Sequence, residues 1–176
     1  MKKTLFLLIV VLALFSCKKE VPVDYAIVSV SIKNPGTKEI SIYSNDRSFS
    51  KVVKLDEEGN FTDTIKVRAK KFTMYDDKNA TNLYLEAGYN LKITYDAADH
   101  KNTVQYSGNG IETNNYFVQK SKLDQKLSGE RLDIYKLDET GFNTKNNEIK
   151  TALTDLVAST EGLIEEFVTK EKKSIN

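Results

Sequence analysis

The sequence predicts a mainly β protein with an α-helical appendage, and three observations support this fold class. Between residues 25 and 110, apolar and polar side chains alternate with a period of two, which is the pattern of half-buried strands. Turn-forming residues interrupt this alternation every eight to twelve positions. After residue 110 the alternation stops, and apolar side chains recur at helical spacing. We therefore expect an antiparallel β-sandwich or barrel of about seven to eight short strands, followed by two helices.

Eight short segments over residues 25–110 carry the strand pattern. Val28 and Ile32 alternate with serines in the first segment, and Pro35 and Gly36 then form a turn. The later segments are EISIYS, SFSKVVKL, FTDTIKV, KFTMY, NLYLE, YNLKITY and TVQYSG. Because both faces of many segments are half apolar, two sheets packed against each other are expected.

Residues 111–176 are predicted to form a helical connector of two helices. The first contains Tyr116, Leu123 and Leu127 along one stripe. The second is expected to be one long helix, on which large apolar side chains recur at spacings of seven and four: Phe142, Ile149, Leu153, Leu156, Leu163 and Phe167. Gly162 should weaken that helix by about 1 kcal/mol. The segment after Gly162 is expected to project or to pack poorly, since it lies far in sequence from the β-domain.

Residues 1–16 resemble a bacterial lipoprotein signal peptide. Two lysines precede an unbroken apolar run over residues 5–15, which is too short to span a bilayer of roughly 30 Å as a helix. Leu14 and Ser16 stand before Cys17 as in a lipobox, in which the cysteine is acylated. Cys17 is the only cysteine of the chain, and exported proteins usually pair their cysteines, so lipidation explains its presence. The alternative is a free or buried thiol behind an ordinary signal peptide.

Lipidation of Cys17 predicts a protein of the cell envelope, held on the membrane by its acyl chains. Residues 17–24 would form a short tether. Lys18 and Lys19 stand where an acidic surface-export signal would be, which favours a periplasm-facing location. Loss of Lys2 and Lys3 with the signal leaves 24 basic residues against 25 acidic ones. No basic face for nucleic acid is therefore expected.

Three polar segments of the sequence contain residues that could form a metal or phosphate site. His100 is the only histidine and lies near Asp96 and Asp99, but one histidine without further His or Cys is atypical of zinc, which favours a polar turn. The segment DEEGNFTD lacks the ligand spacing of a calcium loop. The segment SGNGIETNN lacks the Lys-Ser/Thr of a phosphate loop, which favours a strand-to-helix turn. No metal or other cofactor is predicted.

Three glycine landmarks of the β-region resemble those of a known envelope domain. Gly59 lies two positions before Phe61 in DEEGNF, Gly88 separates two strands in LYLEAGYNLKITYD, and residues 108–110 form a Gly-Asn-Gly turn in YSGNGIETNNY. With the lipobox, this pattern resembles the amino-terminal domain of unknown function found on TlpA-like thiol-disulfide oxidoreductases. The resemblance covers about residues 28–176.

In the family that the chain resembles, a helical connector leads to a carboxy-terminal thioredoxin-like domain with a cysteine pair. That domain is missing here, and with Cys17 as the anchor no Cys-x-x-Cys can act in this chain. The resemblance implies either a stand-alone homologue or the amino-terminal part of a longer protein. A helix that could continue past the last residue favours the second alternative.

Three functions follow as expectations. The leading one is a lipid-anchored, non-catalytic β-domain whose helical connector tethers or positions a redox domain, or binds a protein partner. The alternative is the amino-terminal part of a TlpA-like thiol-disulfide oxidoreductase. The third is a lipoprotein that binds a small molecule or glycan through a tyrosine-lined face, for which the strand tyrosines are Tyr43, Tyr75, Tyr84 and Tyr95. Asp63-Thr64-Ile65 also resembles an O-glycan acceptor tripeptide of some envelope proteins, which makes Thr64 a candidate modification site.

Overall fold

The computed structural model describes residues 23–67, 70–129 and 133–175. The strands are β1 (Tyr25–Lys33), β2 (Glu39–Ser44), β3 (Ser50–Lys54), β4 (Asn60–Lys66), β5 (Lys71–Tyr75), β6 (Ala80–Tyr84), β7 (Asn90–Asp96) and β8 (Gln105–Gly108). The helices are α1 (His100–Thr103), α2 (Ile111–Ser128), α3 (Glu139–Ser159) and α4 (Glu165–Ile175). Single 3-10 turns lie at Ala97–Asp99 and Ile134–Lys136. The predicted fold class, a β-domain followed by a helical appendage, is confirmed.

Two four-stranded sheets form a sandwich. One sheet has the order β4-β1-β7-β8, and the other has the order β3-β2-β5-β6. Side chains from the inner faces of both sheets form one core, which consists of Ala26, Val28, Val30, Ile32, Ile40, Ile42, Phe61, Ile65, Phe72, Met74, Leu83, Leu85, Leu91, Ile93, Tyr95 and Ala97. Along β1, β2, β4, β5, β6 and β7, these residues alternate with more exposed ones, as the period-two pattern predicted, whereas β3 and β8 contribute no fully buried residue.

One strand pairing differs from the prediction of an antiparallel sandwich. β1 and β7 lie side by side and run parallel, with Val30 opposite Ile93, whereas the other pairings are antiparallel. Five strands separate β1 from β7 along the chain, which returns to the first sheet at β4 and crosses to the second sheet again before β7, so these neighbours are not joined by a hairpin. Period-two patterning reports which face a residue occupies and contains no information on strand direction.

Polar contacts join the two sheets at both open sides of the sandwich. On one side, the Nζ of Lys51 on β3 lies 2.6 Å from the carboxylate of Asp63 on β4. On the other side, the hydroxyl of Tyr106 on β8 donates to the carbonyl of Asn82 on β6 at 2.8 Å. Charged side chains that point inward on edge strands also discourage pairing with another sheet.

The predicted long second helix is wrong, because the chain breaks between α3 and α4. Gly162 lies in the break with φ of +75°, and a Cβ at this position would collide with the side chain of Glu112. The helical appendage therefore has three long helices where two were expected.

The expectation that the segment after Gly162 projects or packs poorly is also wrong. Phe167 is 1% exposed, and Ile175 is buried. The break allows α4 to turn back and to lie against the sandwich. Its side chains complete a second apolar cluster, which consists of Tyr84, Tyr116, Ile149, Leu153, Val157, Phe167 and Ile175. We call this cluster and its helices the helical layer.

Candidate functional site

The side-chain amide of Asn114 pairs with the edge of β6. The N–H of Tyr84 donates to Asn114 Oδ1 at 2.9 Å, and Asn114 Nδ2 donates to the carbonyl of Tyr84 at 3.0 Å. Asn114 is fully buried. Its amide therefore takes the place of a neighbouring strand and fixes α2 against the sheet.

The turn before α2 positions this asparagine. Gly110 has φ of +78°, and a Cβ there would collide with the ring of Tyr89. The carbonyl of Gly110 accepts a third hydrogen bond from Asn114 Nδ2 at 2.8 Å. The small residues of SGNGIETNN thus serve a strand-to-helix turn, in agreement with the interpretation that the sequence favoured over a phosphate loop.

A buried carboxylate joins α4 to both the sheet and α2. Glu171 is 1% exposed, and its Oε2 lies 2.9 Å from the Nζ of Lys71 on β5. Its Oε1 accepts from the Nζ of Lys120 and from the hydroxyl of Tyr116, the latter at 3.3 Å. We call these four residues the Glu171 cluster.

Electrostatics keep this carboxylate charged. Burial alone would raise the pKa of Glu171, but hydrogen bonds from Lys120 and Lys71 outweigh that effect and hold the pKa below its ordinary value. Burial, together with the neighbouring carboxylate, raises the pKa of the Tyr116 hydroxyl, which stays a donor. The cluster is therefore an ion pair network with every polar atom paired, the condition under which a buried charge is tolerated.

Aromatic rings surround the Glu171 cluster on the apolar side. The ring of Phe167 makes edge-to-face contacts with Tyr84, Tyr116 and Phe117 at centroid distances of 5.3, 5.4 and 5.7 Å. The ammonium of Lys71 also lies 5.4 Å from the centroid of Phe167. One residue of α4 thus contacts the outer face of the second sheet and α2 together.

A more exposed set of charges lies beside the aromatic contacts. Lys70 Nζ lies 2.9 Å from Glu86 and 2.6 Å from Glu166, which in turn pairs with Lys170 at 2.7 Å. Hydrogen bonds from Lys170 and Lys70 lower the pKa of Glu166 to about 2. Of these pairs, only Lys70–Glu166 joins α4 to the sandwich, and because both side chains are solvated it stabilises the docking of α4 only weakly.

His100 belongs to a polar cluster at one end of the sandwich. Its Nε2 lies 2.7 Å from the hydroxyl of Thr81, and its ring packs edge-on against Tyr95 at 4.9 Å. The hydroxyl of Tyr95 donates to the buried carboxylate of Asp76 at 2.8 Å. Burial lowers the pKa of His100, and the charge of Asp76 opposes this only in part. The imidazole therefore packs as a neutral group at neutral pH.

The acidic residues near His100 in sequence point elsewhere. Asp96 accepts from the side chain of Asn34 and from the backbone N–H of Ala98, and Asp99 accepts from Asn102. Over the part of the chain that the structure describes, no group of three or more His, Cys, Asp or Glu side chains is arranged to hold a metal ion. The segment around His100 is a short helical turn between β7 and β8.

A cavity of about 250 Å³ lies beside this cluster, between the edge of β6, α1 and α2. We call it the β6 cleft. Its apolar wall includes Val104, Phe117 and Val118, and its polar wall includes Thr81, Asn82 and His100. Three lysines also line it: Lys78, Lys101 and Lys122.

The four strand tyrosines do not share one face. Tyr43 and Tyr75 lie on the outer face of the second sheet and are 38% exposed. Tyr84 lies on the same face but is buried under α4, and burial raises its pKa to about 12. Tyr95 belongs to the sandwich core. These four tyrosines therefore do not form the single binding face that the third alternative from the sequence requires.

The structure describes one of the two predicted modification sites. Thr64 is exposed on β4, an edge strand, and its side chain points to solvent from the outer face of the first sheet. Cys17 and the predicted signal peptide lie outside the described residues. None of the helices in residues 23–67, 70–129 and 133–175 is both long and apolar enough to span a membrane.

Comparisons with known proteins do not assign the chain to a family. No protein-family model matches the chain, and no curated protein matches it. The assignment of a function therefore depends on the residues and contacts described above.

Proposed function

We propose that this chain is a lipid-anchored, periplasm-facing protein of the cell envelope that holds a partner protein in a fixed position. The β-sandwich and its docked helices form the non-catalytic body, and the partner is a redox domain in the same chain or in another. Cys17 behind its lipobox-like sequence supports the anchor, and the geometry of the helical layer supports the positioning role.

The Glu171 cluster is the observation that carries this proposal. A positioning module requires its helices to have one orientation relative to the domain that they extend. Glu171 has partners on β5 and α2, so sliding or rotation of α4 would leave a buried charge unpaired. Buried ion pairs contribute little net stability, and their best-attested use is to select one arrangement.

The polar groups nearest to a catalytic arrangement are engaged in structural contacts. His100 is bonded to Thr81, and Asp76 is bonded to Tyr95 and to the backbone of Asn79. These contacts support a non-catalytic role for the described residues. In an insulin-turbidity assay, we expect the chain to give no disulfide reduction above background.

Rigid positioning is testable with two spin labels. In a Cys17→Ser background, Lys54→Cys on β3 and Lys173→Cys on α4 provide exposed attachment sites, one on the sandwich and one on the docked helix. We expect a narrow interspin distance distribution, and a broad one after the further change Glu171→Gln. A broad distribution before that change would overturn the positioning role, whereas equal narrow distributions would show that Glu171 is not its basis.

The anchor has its own test. In a bacterium that processes lipoproteins, wild-type chain should incorporate labelled palmitate and sediment with membranes, and Cys17→Ser should do neither. Lys18→Ser, a change next to the anchor that keeps the cysteine, provides the matched control and should still be labelled. Membrane retention of the Cys17→Ser chain would contradict lipid anchoring.

A further inference from the structure

We infer that the β6 cleft binds a small organic anion that combines a carboxylate or phosphate group with an apolar group. The inference goes beyond the positioning role and rests on different residues. A volume of about 250 Å³ is roughly that of eight water molecules in the liquid, so the ligand is small.

The charge of the cleft selects an anion. Lys78 lies between β5 and β6, Lys101 is on α1, and Lys122 is on α2, so three separate segments each contribute a lysine to the lining of one cavity. No acidic side chain is found among the described residues that line the cleft. None of the three lysines forms an ion pair within the described part of the chain, although Asp77 and Asp99 are nearby in sequence. Three cations without internal counter-charges attract an anion.

The exposed edge of β6 supplies a backbone donor. The N–H of Leu85 bonds to the carbonyl of Lys70, and because pairing alternates along an antiparallel ladder, the backbone groups of Asn82 and Tyr84 face away from β5. Asn114 occupies those of Tyr84, and Tyr106 occupies only the carbonyl of Asn82. The N–H of Asn82 has no acceptor among the described residues and faces the cleft.

The opposite wall selects the apolar part of the ligand. Phe117, Val118 and Val104 line the cleft across from β6, and Tyr106 stands between the two walls. A polar inorganic anion would leave the surfaces that these side chains present to the cleft uncovered. A flat or compact apolar group would cover them while its acid reaches the lysines.

Benzoate is the probe that combines both features, and benzamide is its neutral counterpart of the same shape. We propose to titrate each into the 15N-labelled full-length Cys17→Ser chain in a non-ionic detergent, with inorganic phosphate as an anion that lacks an apolar part. Benzoate should shift the amide signals of Asn82, Lys101 and Ser121 saturably, with a Kd below about 10 mM, and should bind at least tenfold more tightly than benzamide or phosphate. Its affinity should fall as salt is raised from 20 mM to 500 mM.

Charge reversal tests the location. Lys122→Glu should weaken benzoate binding by at least about fivefold, because the substitution changes the charge by two units and one unit charge at about 4 Å in water already corresponds to about fivefold. Lys92→Glu, on the outer face of the first sheet, makes the same change in net charge and should alter the affinity less than twofold. Lys101→Glu replaces Lys122→Glu if the latter loses the dispersed spectrum of the folded chain.

The titration results distinguish the anion site, the requirement for an apolar group and the positioning role. Equal binding of benzamide, or equal weakening by Lys92→Glu, would overturn the anion site, and so would the absence of a saturable shift. Phosphate binding as tight as benzoate would overturn the requirement for an apolar group. The positioning role is untouched by each of these results, because the spin-label distances do not depend on the cleft.

Discussion

The β-sandwich and the helical layer are stabilised in different ways. Among the described residues, sixteen buried apolar side chains form the sandwich core, and seven form the core of the helical layer. Yet each region buries three polar residues: Ser44, Asp76 and Thr81 in the sandwich, and Thr113, Asn114 and Glu171 in the helical layer. The helical layer therefore depends much more on directional polar contacts than the sandwich does.

The two regions should therefore respond differently to the loss of a single buried side chain. Burial of apolar area is non-directional and is spread over many residues, so the sandwich forms as one cooperative unit. Docking of α4 depends on Phe167 and Glu171, which contact both the sheet and α2. Loss of either residue should release α4 while the sandwich stays folded.

The largest effect is expected from Phe167→Ala, which should destabilise the docking of α4 by about 4 kcal/mol. The variant removes three ring contacts and leaves a cavity under α4. Urea unfolding followed by circular dichroism at 222 nm should show an early helical transition, separate from the loss of sandwich NMR signals. Ile93→Ala, in the sandwich core, should instead lower the urea midpoint of a single transition that the helices and the sandwich share. Coincident transitions in the Phe167→Ala chain would contradict a separately docked helix.

Asn114→Ala should cost about 3 kcal/mol, because the N–H and the carbonyl of Tyr84 would be buried without partners. Asn115→Ala, one position along the same helix, is the matched control and should cost less than about 0.5 kcal/mol. Thermal unfolding of the two variants measures the difference. An equal loss of stability in both variants would mean that the side-chain amide of Asn114 does not replace a neighbouring strand.

The strands of the sandwich could be predicted from the sequence because β1, β2, β4, β5, β6 and β7 each bury one face. The parallel pairing of β1 with β7 could not, since it is set by where the chain crosses between sheets. The sequence around Asn114 does not indicate its role, because no local pattern distinguishes a buried asparagine from an exposed one. Glu171 does have such a pattern: it lies four residues from both Phe167 and Ile175, on the apolar stripe of α4.

The sequence does not reveal the break between α3 and α4, because the seven-residue spacing of apolar side chains continues across it. The pattern predicts Gly162 as a weak point of one helix, whereas its left-handed backbone lies in the break and redirects the chain. The β6 cleft could not be predicted either. Its lysines lie on three elements whose approach depends on the docking of α2.

Acid should release the helical layer in one identifiable step. The pKa of Glu171 is lowered in the folded protein, so its contribution to stability is complete above the ordinary value of 4.5 and is lost as the pH falls below it. The amide signals of α4 should therefore change as the pH falls below 4.5. In Glu171→Gln this step should be missing, although Asp76 in the sandwich still titrates. The same step in both chains would assign it to another group.

A small effect is expected at the open side of the sandwich. Asp63→Asn removes the ion pair with Lys51 between β3 and β4, but both side chains are partly solvated. The free energy of unfolding should fall by about 0.5 kcal/mol. Raising the salt concentration to 1 M should abolish the difference between the two chains. A loss above about 2 kcal/mol would show that the sandwich, too, depends on a single charged contact.

Hydrogen exchange at pH 7 on the full-length chain and on Glu171→Gln tests the central claim most directly. In the parent chain, the amides of Phe167–Ile175 should be protected, as a docked helix requires. In the variant, their protection should fall at least about thirtyfold, which corresponds to about 2 kcal/mol, while β1 and β7 keep theirs within about threefold. Unchanged protection of α4, or an equal fall across the strands and α4, would contradict a helix that one buried carboxylate holds in place.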